Sequence, residues 1–332
     1  MTVACVHLDA WSLELACGLP LAEHTARALL AMGLTRVLLI GGPSDLPEVL
    51  SVHDRAETDV TQAKVHVSGS SPLLRPDDLA ARTHAGEVIE GAHRVVDSMS
   101  LHFAEETLFE RRADELRRSG VRIRGRARID FTADVAAGAL VDDGVQLVGK
   151  TIVAEGAQVL TGAIVTDSMV GPRAIVRPYS VVTSSTIGEA TFVGPFAHVR
   201  PATTLHEDVR VGAFVETKNV VMKRGAMANH LAFLGDGEVG VRANVSAGSI
   251  FCNSDGYNKY TTIVEDGAFV GSSCQLVAPV TIGAGAIVAS GTTVTADVPP
   301  DALAIARVAQ LNKPGYASKL RQRYVATRDR KR

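Results

Sequence analysis

Residues 229 to 262 read NHLAFLGDGEVGVRANVSAGSIFCNSDGYNKYTT, a stretch that gathers His230, Asn244, Asn253 and Lys259. Imidazole titrates closest to neutrality, so His230 is suited to take a proton from an attacking amine or hydroxyl. A lone loop histidine is more often a solvated or turn-capping side chain. His230 gains weight from its company, because none of the four stands where an aliphatic core residue is due. Upstream, Arg200 and Lys218 stand 18 residues apart. Whether that spacing brings them together depends on the element that carries them.

That element is legible in the aliphatic pattern. Val264, Val270, Leu276, Ile282, Val288 and Val294 recur at every sixth position, a period that neither an α-helix nor a single strand explains. A hexapeptide repeat predicts a parallel β-helix, a mainly β fold in which three short strands and their turns close one coil of about 18 residues. The same register runs through Ile129, Val135, Val141, Leu147, Val153, Val159 and Val165, slips by one, and resumes at Val170, Val176 and Val182. It slips again, continues from Ile187 to Val211, and after an irregular stretch rejoins at Val239, Val245 and Phe251. The solenoid is therefore expected over 121–298, with glycines such as Gly138 and Gly212 at corners that need positive φ or close approach. The polar segment 229–262 interrupts this repeat twice, and insertions in solenoids project as loops on one face.

On such a scaffold, residues 18 apart lie one strand spacing from each other, roughly 4.8 Å. Arg200 and Lys218 each follow an inward position, Val199 and Thr217, so they are expected to stack on adjacent coils. At about 5 Å and an effective dielectric near 20, their repulsion is on the order of 3 kcal/mol before screening. A phosphate between them would offset it; the alternative is two solvated side chains that splay apart.

Residues 1–120 read as a small α/β domain, with a helix over about 22–32, a Gly33 stop, strands at 36–40 and 64–69, and a charged helix ending at Gly120. The β-helix domain is placed at 121–316 and a basic tail at 317–332, the tail expected to be a solvated, frayed end. In the 332-residue chain, 34 basic and 36 acidic residues nearly balance, which argues against bulk nucleic-acid binding. No apolar run is long enough to span a membrane, and Asp9 and Glu14 break any leader-like start, so a cytoplasmic protein is expected. Cys5, Cys17, Cys252 and Cys274 show neither C-x-x-C nor zinc spacing.

The segments GPFAHVRPATTL, VGAFVETKNVV, NHLAFLGDGEVG, NVSAGSIFCNSDGYNKYTT, FVGSSCQLVAPVTIGAGAIVASGTTVTADVP and ALAIARVAQ carry a resemblance over about 115–316. They resemble the acetyltransferase half of the bifunctional N-acetylglucosamine-1-phosphate uridyltransferase / glucosamine-1-phosphate acetyltransferase family. The resemblance implies a left-handed β-helix, a homotrimer with sites between subunits, and acetyl-CoA as co-substrate. It implies His230 as general base, Arg200 and Lys218 as phosphate ligands, and Asn244 and Lys259 as sugar-phosphate contacts. It further implies Asn253 at the acetyl end and Ser272, Ser290 and Arg307 on coenzyme A, Ser290 standing where the family usually has alanine. Glu216, two residues before Lys218, is a candidate to orient His230 or the substrate amine. Phe233 and Ser254 replace tyrosines usual in the family, a departure that bears on acceptor choice.

The amino-terminal region resembles the family's nucleotidyltransferase domain over residues 16–50 and at VSGSSPLLRPDDLAA, but at about half the usual length. No L-x-x-G-x-G-T-R loop precedes Leu19 to cradle a triphosphate, and Ser70 stands where the family's magnesium aspartate would be. A degenerate domain without uridyltransferase activity is expected. A zinc reaction on a β-helix would need clustered histidines; after residue 110 there are only His198, His206 and His230, without H-x4-H spacing, so no metal is expected. The leading reading is an acetyl-CoA-dependent N-acetyltransferase acting on an amino-sugar 1-phosphate, most simply glucosamine 1-phosphate on the way to UDP-N-acetylglucosamine and cell wall. The alternatives are an acyltransferase on another amino sugar, and a non-catalytic scaffold that joins a complete homologue.

Overall fold

The computed structural model describes residues 98–329 throughout, and before them only Thr25 and the backbone of Val3–His7, Leu15–Ala16, Leu19–Pro20, Arg36–Ile40, Val65–Ser68 and Val88–Ile89. Four of these strands form a parallel sheet in the order Arg36–Ile40, Val3–His7, Val65–Ser68, Val88–Ile89. The expected strands at 36–40 and 64–69 are thus present. Of the expected helix at 22–32 only Thr25 is described, in helical conformation; its Gly33 stop and Ser70 lie outside the described residues.

Helix α1, Ser98–Arg118, buries Ala104, Leu108, Ala113 and Leu116 along one stripe. Its end is closed by Gly120 at φ +97°, with Val121 N–H donating to the Leu116 carbonyl at 2.9 Å, the 6→1 bond of a Schellman cap. Leu116 packs with Val121, Ala127 and Ile129, so the helix covers the first coil of the solenoid.

The solenoid itself is a parallel β-helix of the left-handed, hexapeptide-repeat type. One face is an 11-stranded sheet running from Arg122–Ile123 to Leu303–Ala304, one strand beyond the expected limit of 298. The other two faces share 17 strands, joined because Glu216–Met222 and Phe233–Val239 each run around a corner without a break. We call the 11-stranded sheet face one, the sheet through His198 and Glu216 face two, and the sheet through Thr204 and Val221 face three.

Each inward position predicted from the six-residue period is buried, from Ile129 at 0% exposure to Val294 at 5%. Between Val211 and Val239 the inward positions are taken by Thr217, Met222, Ala228 and Leu234, all at 0%. The repeat is therefore interrupted once, by an excursion over 252–261, and not twice. Many coils close in 17 residues instead of 18, as in the pairs Ile152↔Met169 and Phe233↔Ile250, because a corner has lost one residue. Gly138 answers one corner demand with φ +80°. Gly212 answers the other, since a Cβ there would run into the Asn229 carbonyl oxygen.

The carboxy-terminal segment corrects another expectation. Residues 316–329 form helix α2, Tyr316–Asp329, which is exposed along nearly its whole length and is not a frayed end.

Candidate active site

Arg200 and Lys218 sit at the far end of adjacent face-two strands, where His198 pairs with Glu216 and Val199 with Thr217 in the parallel ladder. Adjacent stacking thus holds, but the expected uncompensated repulsion does not. Arg200 donates from Nη1 to Glu216 Oε1 at 2.6 Å, a diagonal partner on the next coil. That contact also occupies Glu216, which sequence reasoning had offered as an orienting group for His230 or the amine. Lys218 has no carboxylate within ion-pair distance among the described residues, so it is the cation left to meet an anion.

Phe233 follows Glu216 on the same face, one coil on. Its ring folds toward Gly235, where an added Cβ would lie 2.6 Å from Phe233 Cζ and 2.8 Å from Asn253 Nδ2. Gly235 pairs with Lys218 in the ladder, so Phe233, Lys218 and Asn253 converge at one edge of face two. Asn253 is 8% exposed and donates from Nδ2 to Asp236 Oδ2 at 2.5 Å, while Asn219 Nδ2 donates to Asp236 Oδ1 at 2.8 Å. One of the two amide N–H bonds of Asn253 is therefore directed into this corner and is not free for a substrate.

His230 lies on the neighbouring face one, at the corner where the chain turns into the face-two strand that begins at Phe233. It ends the strand Met227–His230, paired with Ala213, and is exposed, with no hydrogen bond or ion pair among the described residues. Gly235 stands five positions further along, around the corner, so the backbone at His230 and the Lys218 edge are at most about 17 Å apart. The outward surface between them is formed by Glu216 and Phe233. Among the described residues, no hydrogen bond joins His230 to Asn244, Asn253 or Lys259.

The corner that carries His230 continues upward. Following the pairs Ala228↔Val245, Val245↔Val270 and Val270↔Val288, the residues stacked above His230 are Ala247, Ser272 and Ser290. Ser272 N–H donates to Ser290 Oγ at 3.2 Å, and Arg307 Nη1 donates to the Ser290 carbonyl. Ser272, Ser290 and Arg307 are thus brought together, beginning two coil steps or roughly 10 Å from His230.

Asn244 shares face one with His230, one coil up and three residues back along the strand, whereas Lys259 lies apart. Asn244 is on face one, stacked over Met227. Lys259 is exposed on the excursion, bridged antiparallel to Ser254. The excursion is held by Asp255, whose Oδ1 accepts the Tyr257 and Asn258 amides at 2.8 and 2.7 Å and whose Oδ2 accepts the Tyr260 hydroxyl at 2.9 Å. These bonds, the Asn258 amide foremost, hold the Asp255 carboxyl well below the usual carboxylate range, and the same carboxylate pushes the Tyr260 phenol upward. Burial raises the thiol of Cys252, which begins the excursion. Cys252 and Cys274 are both free.

Beside His230 runs a feature the periodicity did not reveal. Tyr179, Phe196, Phe214 and Leu231 occupy successive corners at φ +57°, +54°, +57° and +48°, each roughly half exposed. The first three rings stack at 5.4 Å between centroids. Bulky residues seldom accept positive φ, and an aromatic every 17 or 18 residues outside the inward register was the available signal.

Among the described residues, no group of three or more His, Cys, Asp or Glu is placed to hold a metal ion, and no helix is long and apolar enough to cross a membrane.

Fold and site together define a hexapeptide-repeat β-helix with a basic edge on one face and a free imidazole at the end of a strand on the adjoining face. Residues 261–296 match the family profile described as bacterial transferase hexapeptide (six repeats). Over its carboxy-terminal two-thirds the chain is a homologue of proteins named bifunctional protein GlmU. The one from Sorangium cellulosum is 52% identical over 227 residues, covering 68% of this chain and 48% of that protein. The one from Trichlorobacter lovleyi is 43% identical over 229 residues, covering 68% and 50%. The chain thus spans about half the length of the curated relatives it matches. An Arabidopsis UDP-N-acetylglucosamine acyltransferase structure superposes at TM-score 0.38 and 14% identity, over 61% of this chain and 73% of its own, too loosely to bear on activity.

Proposed function

We propose that the chain is an acetyl-CoA-dependent N-acetyltransferase whose acceptor is an amino-sugar 1-phosphate, most simply glucosamine 1-phosphate. The observation that carries this reading is the layout around one corner: an exposed imidazole at the end of a face-one strand, an unpaired ammonium beside an arginine at the far edge of the adjoining face two, and the Ser272–Ser290–Arg307 chain rising from the imidazole corner. The amine and phosphate of such an acceptor sit on neighbouring sugar carbons, so with the amine at His230 the long Lys218 and Arg200 side chains would reach across face two toward that corner to meet the phosphate. The acyl donor would lie along the corner, with its thioester end down.

In the reaction, the amine nitrogen attacks the thioester carbonyl carbon while His230 takes the nitrogen's proton. The tetrahedral intermediate then expels the thiolate, which is reprotonated from His230. Donors to the developing oxyanion are typically worth a few kcal/mol. With Asn253 bonded to Asp236, its second amide N–H and nearby backbone N–H groups are the available donors. Asn244, one coil above His230's own strand, and Lys259, on the excursion, would contact the acceptor across a boundary between copies. The exposed Tyr179–Leu231 ridge beside His230 supports such a cover, and a homotrimer is the proposed assembly. Uridyltransferase activity is proposed to be absent.

The test is thiol release from acetyl-CoA with a panel of amino sugars, run beside His230→Ala. Turnover with glucosamine 1-phosphate that the variant loses by about 100-fold or more supports the reading. Turnover only with another amine moves the acceptor, and turnover with no amine leaves a scaffold.

A further inference from the structure

On face one, below the level of His230, Arg177 and Arg210 flank a single aromatic ring. The Arg177 guanidinium carbon lies 5.4 Å from the Phe192 centroid and that of Arg210 5.9 Å. The ladder makes this arrangement: Phe192 pairs directly with Arg210, and Arg177 follows Val176, the partner of Val193 on the coil below. Three consecutive coils thus place cation, ring and cation within one patch.

Neither arginine pairs with a carboxylate among the described residues. Other cations of the solenoid do: Arg128 with Glu106, Arg173 with Glu189, Arg200 with Glu216, Lys223 with Glu238 and Arg224 with Glu207. The two arginines open onto a recess of about 230 Å³ completed by Gly194, Gly212 and the amide-bearing Asn229, with no acidic residue in its lining. Stacking on Phe192 restrains both guanidinium groups while leaving their N–H edges unspent, which lowers the ordering cost of gripping an oxyanion. Two cations that flank one ring repel, and an anion between them offsets that cost.

We propose that the Arg177–Phe192–Arg210 recess is a phosphate-binding site, separate from the Arg200–Lys218 edge and independent of the reaction proposed above. Guanidinium groups bind phosphate oxygens in bidentate pairs, and Asn229 adds a neutral donor at the rim. The recess suits the phosphate of a phosphomonoester or diphosphate better than a hydrophobic ligand, because its one apolar wall is covered by the cations. Asn229 immediately precedes His230, so the recess and the imidazole stand at neighbouring positions of one strand.

The experiment is calorimetric titration of the full chain with inorganic phosphate, comparing wild type with Arg177→Gln/Arg210→Gln and with Arg200→Gln/Lys218→Gln. The expected result is a phosphate site weakened at least tenfold by the first pair of substitutions and retained in the second. Loss of the face-two reading would appear as no effect of the second pair and would leave this result unchanged. Titration with coenzyme A then separates the sources: binding weakened by the first pair assigns the donor's phosphates, unchanged binding assigns free phosphate. Phosphate binding that the first pair leaves intact, or no phosphate binding in wild type, overturns the proposal. So does a fall in assembly mass on sedimentation of the first pair at unchanged thermal unfolding, which would put a second copy's carboxylate in the recess.

Discussion

Glu216 settles the charge of the basic edge. Its contact with Arg200 joins two side chains that are 39% and 38% exposed, so the pair is worth about 0.2–1 kcal/mol and little more. Glu216→Gln should therefore shift urea-measured stability by less than about 1 kcal/mol. A larger loss would mean that the two charges depend on each other for folding. Lys218, with no such partner, is the residue whose removal should raise KM for a phosphorylated acceptor while leaving kcat within about tenfold, the signature of lost binding shared by ground and transition states. The diagonal from Arg200 to Glu216 was not legible because a repeat read at one fixed spacing compares equivalent positions and misses residues sixteen apart. The exposed, unpartnered state of His230 was likewise a matter of geometry and not of residue type.

At the scale of elements, the excursion over 252–261 is anchored from both sides. Phe251, directly before it, is fully buried, and the space for its ring depends on Gly237, where a Cβ would lie 3.1 Å from Phe251 Cε2. Truncation by Phe251→Ala should cost about 3–5 kcal/mol, read from denaturant unfolding, because the narrow prism cannot close over the void. Within the excursion, the Asp255 carboxylate is the cap. Its folded pKa is depressed, so its contribution is full above the ordinary aspartate value of about 3.9 and is lost as pH falls through the folded value. Amide signals of Tyr257 and Asn258 should hold their shifts above about pH 4 and move together only in stronger acid. Movement that begins well above that range would place the control in another group. The inward aliphatics were legible throughout 129–211 and 264–294, where branched residues mark each step. They were not legible at Ala228, since a small inward residue looks like a break, and the shortened 17-residue coils compound the effect.

For the whole molecule, one inward register explains both the core and the placement of chemistry. Short strands fix which side chains share a corner, so a column of residues such as His230, Ser272 and Ser290 is set by the ladder and not by local sequence. The α/β strands at 36–40 and 65–68 were foreseen from apolar runs, whereas the helical tail was not, because its exposed face gives no periodic signal. The absence of a glycine-rich triphosphate loop in the sequence leads to a further expectation. Purified protein given UTP and N-acetylglucosamine 1-phosphate should form no UDP-sugar above a no-enzyme control, and formation of it would restore the amino-terminal region to catalysis.

The central claim is that Arg200 and Lys218 of face two bind the acceptor's phosphate while His230, at the corner of face one, takes the proton of its amine. It is tested most directly by the ratio of kcat/KM for glucosamine 1-phosphate to that for glucosamine, measured in wild type, Arg200→Gln/Lys218→Gln and His230→Ala. Wild type should favour the phosphorylated amine by about 100-fold or more, the double variant should bring the ratio down toward one, and His230→Ala should lose turnover of both. A ratio that survives the double variant, or a His230→Ala protein that keeps its rate, would contradict the account.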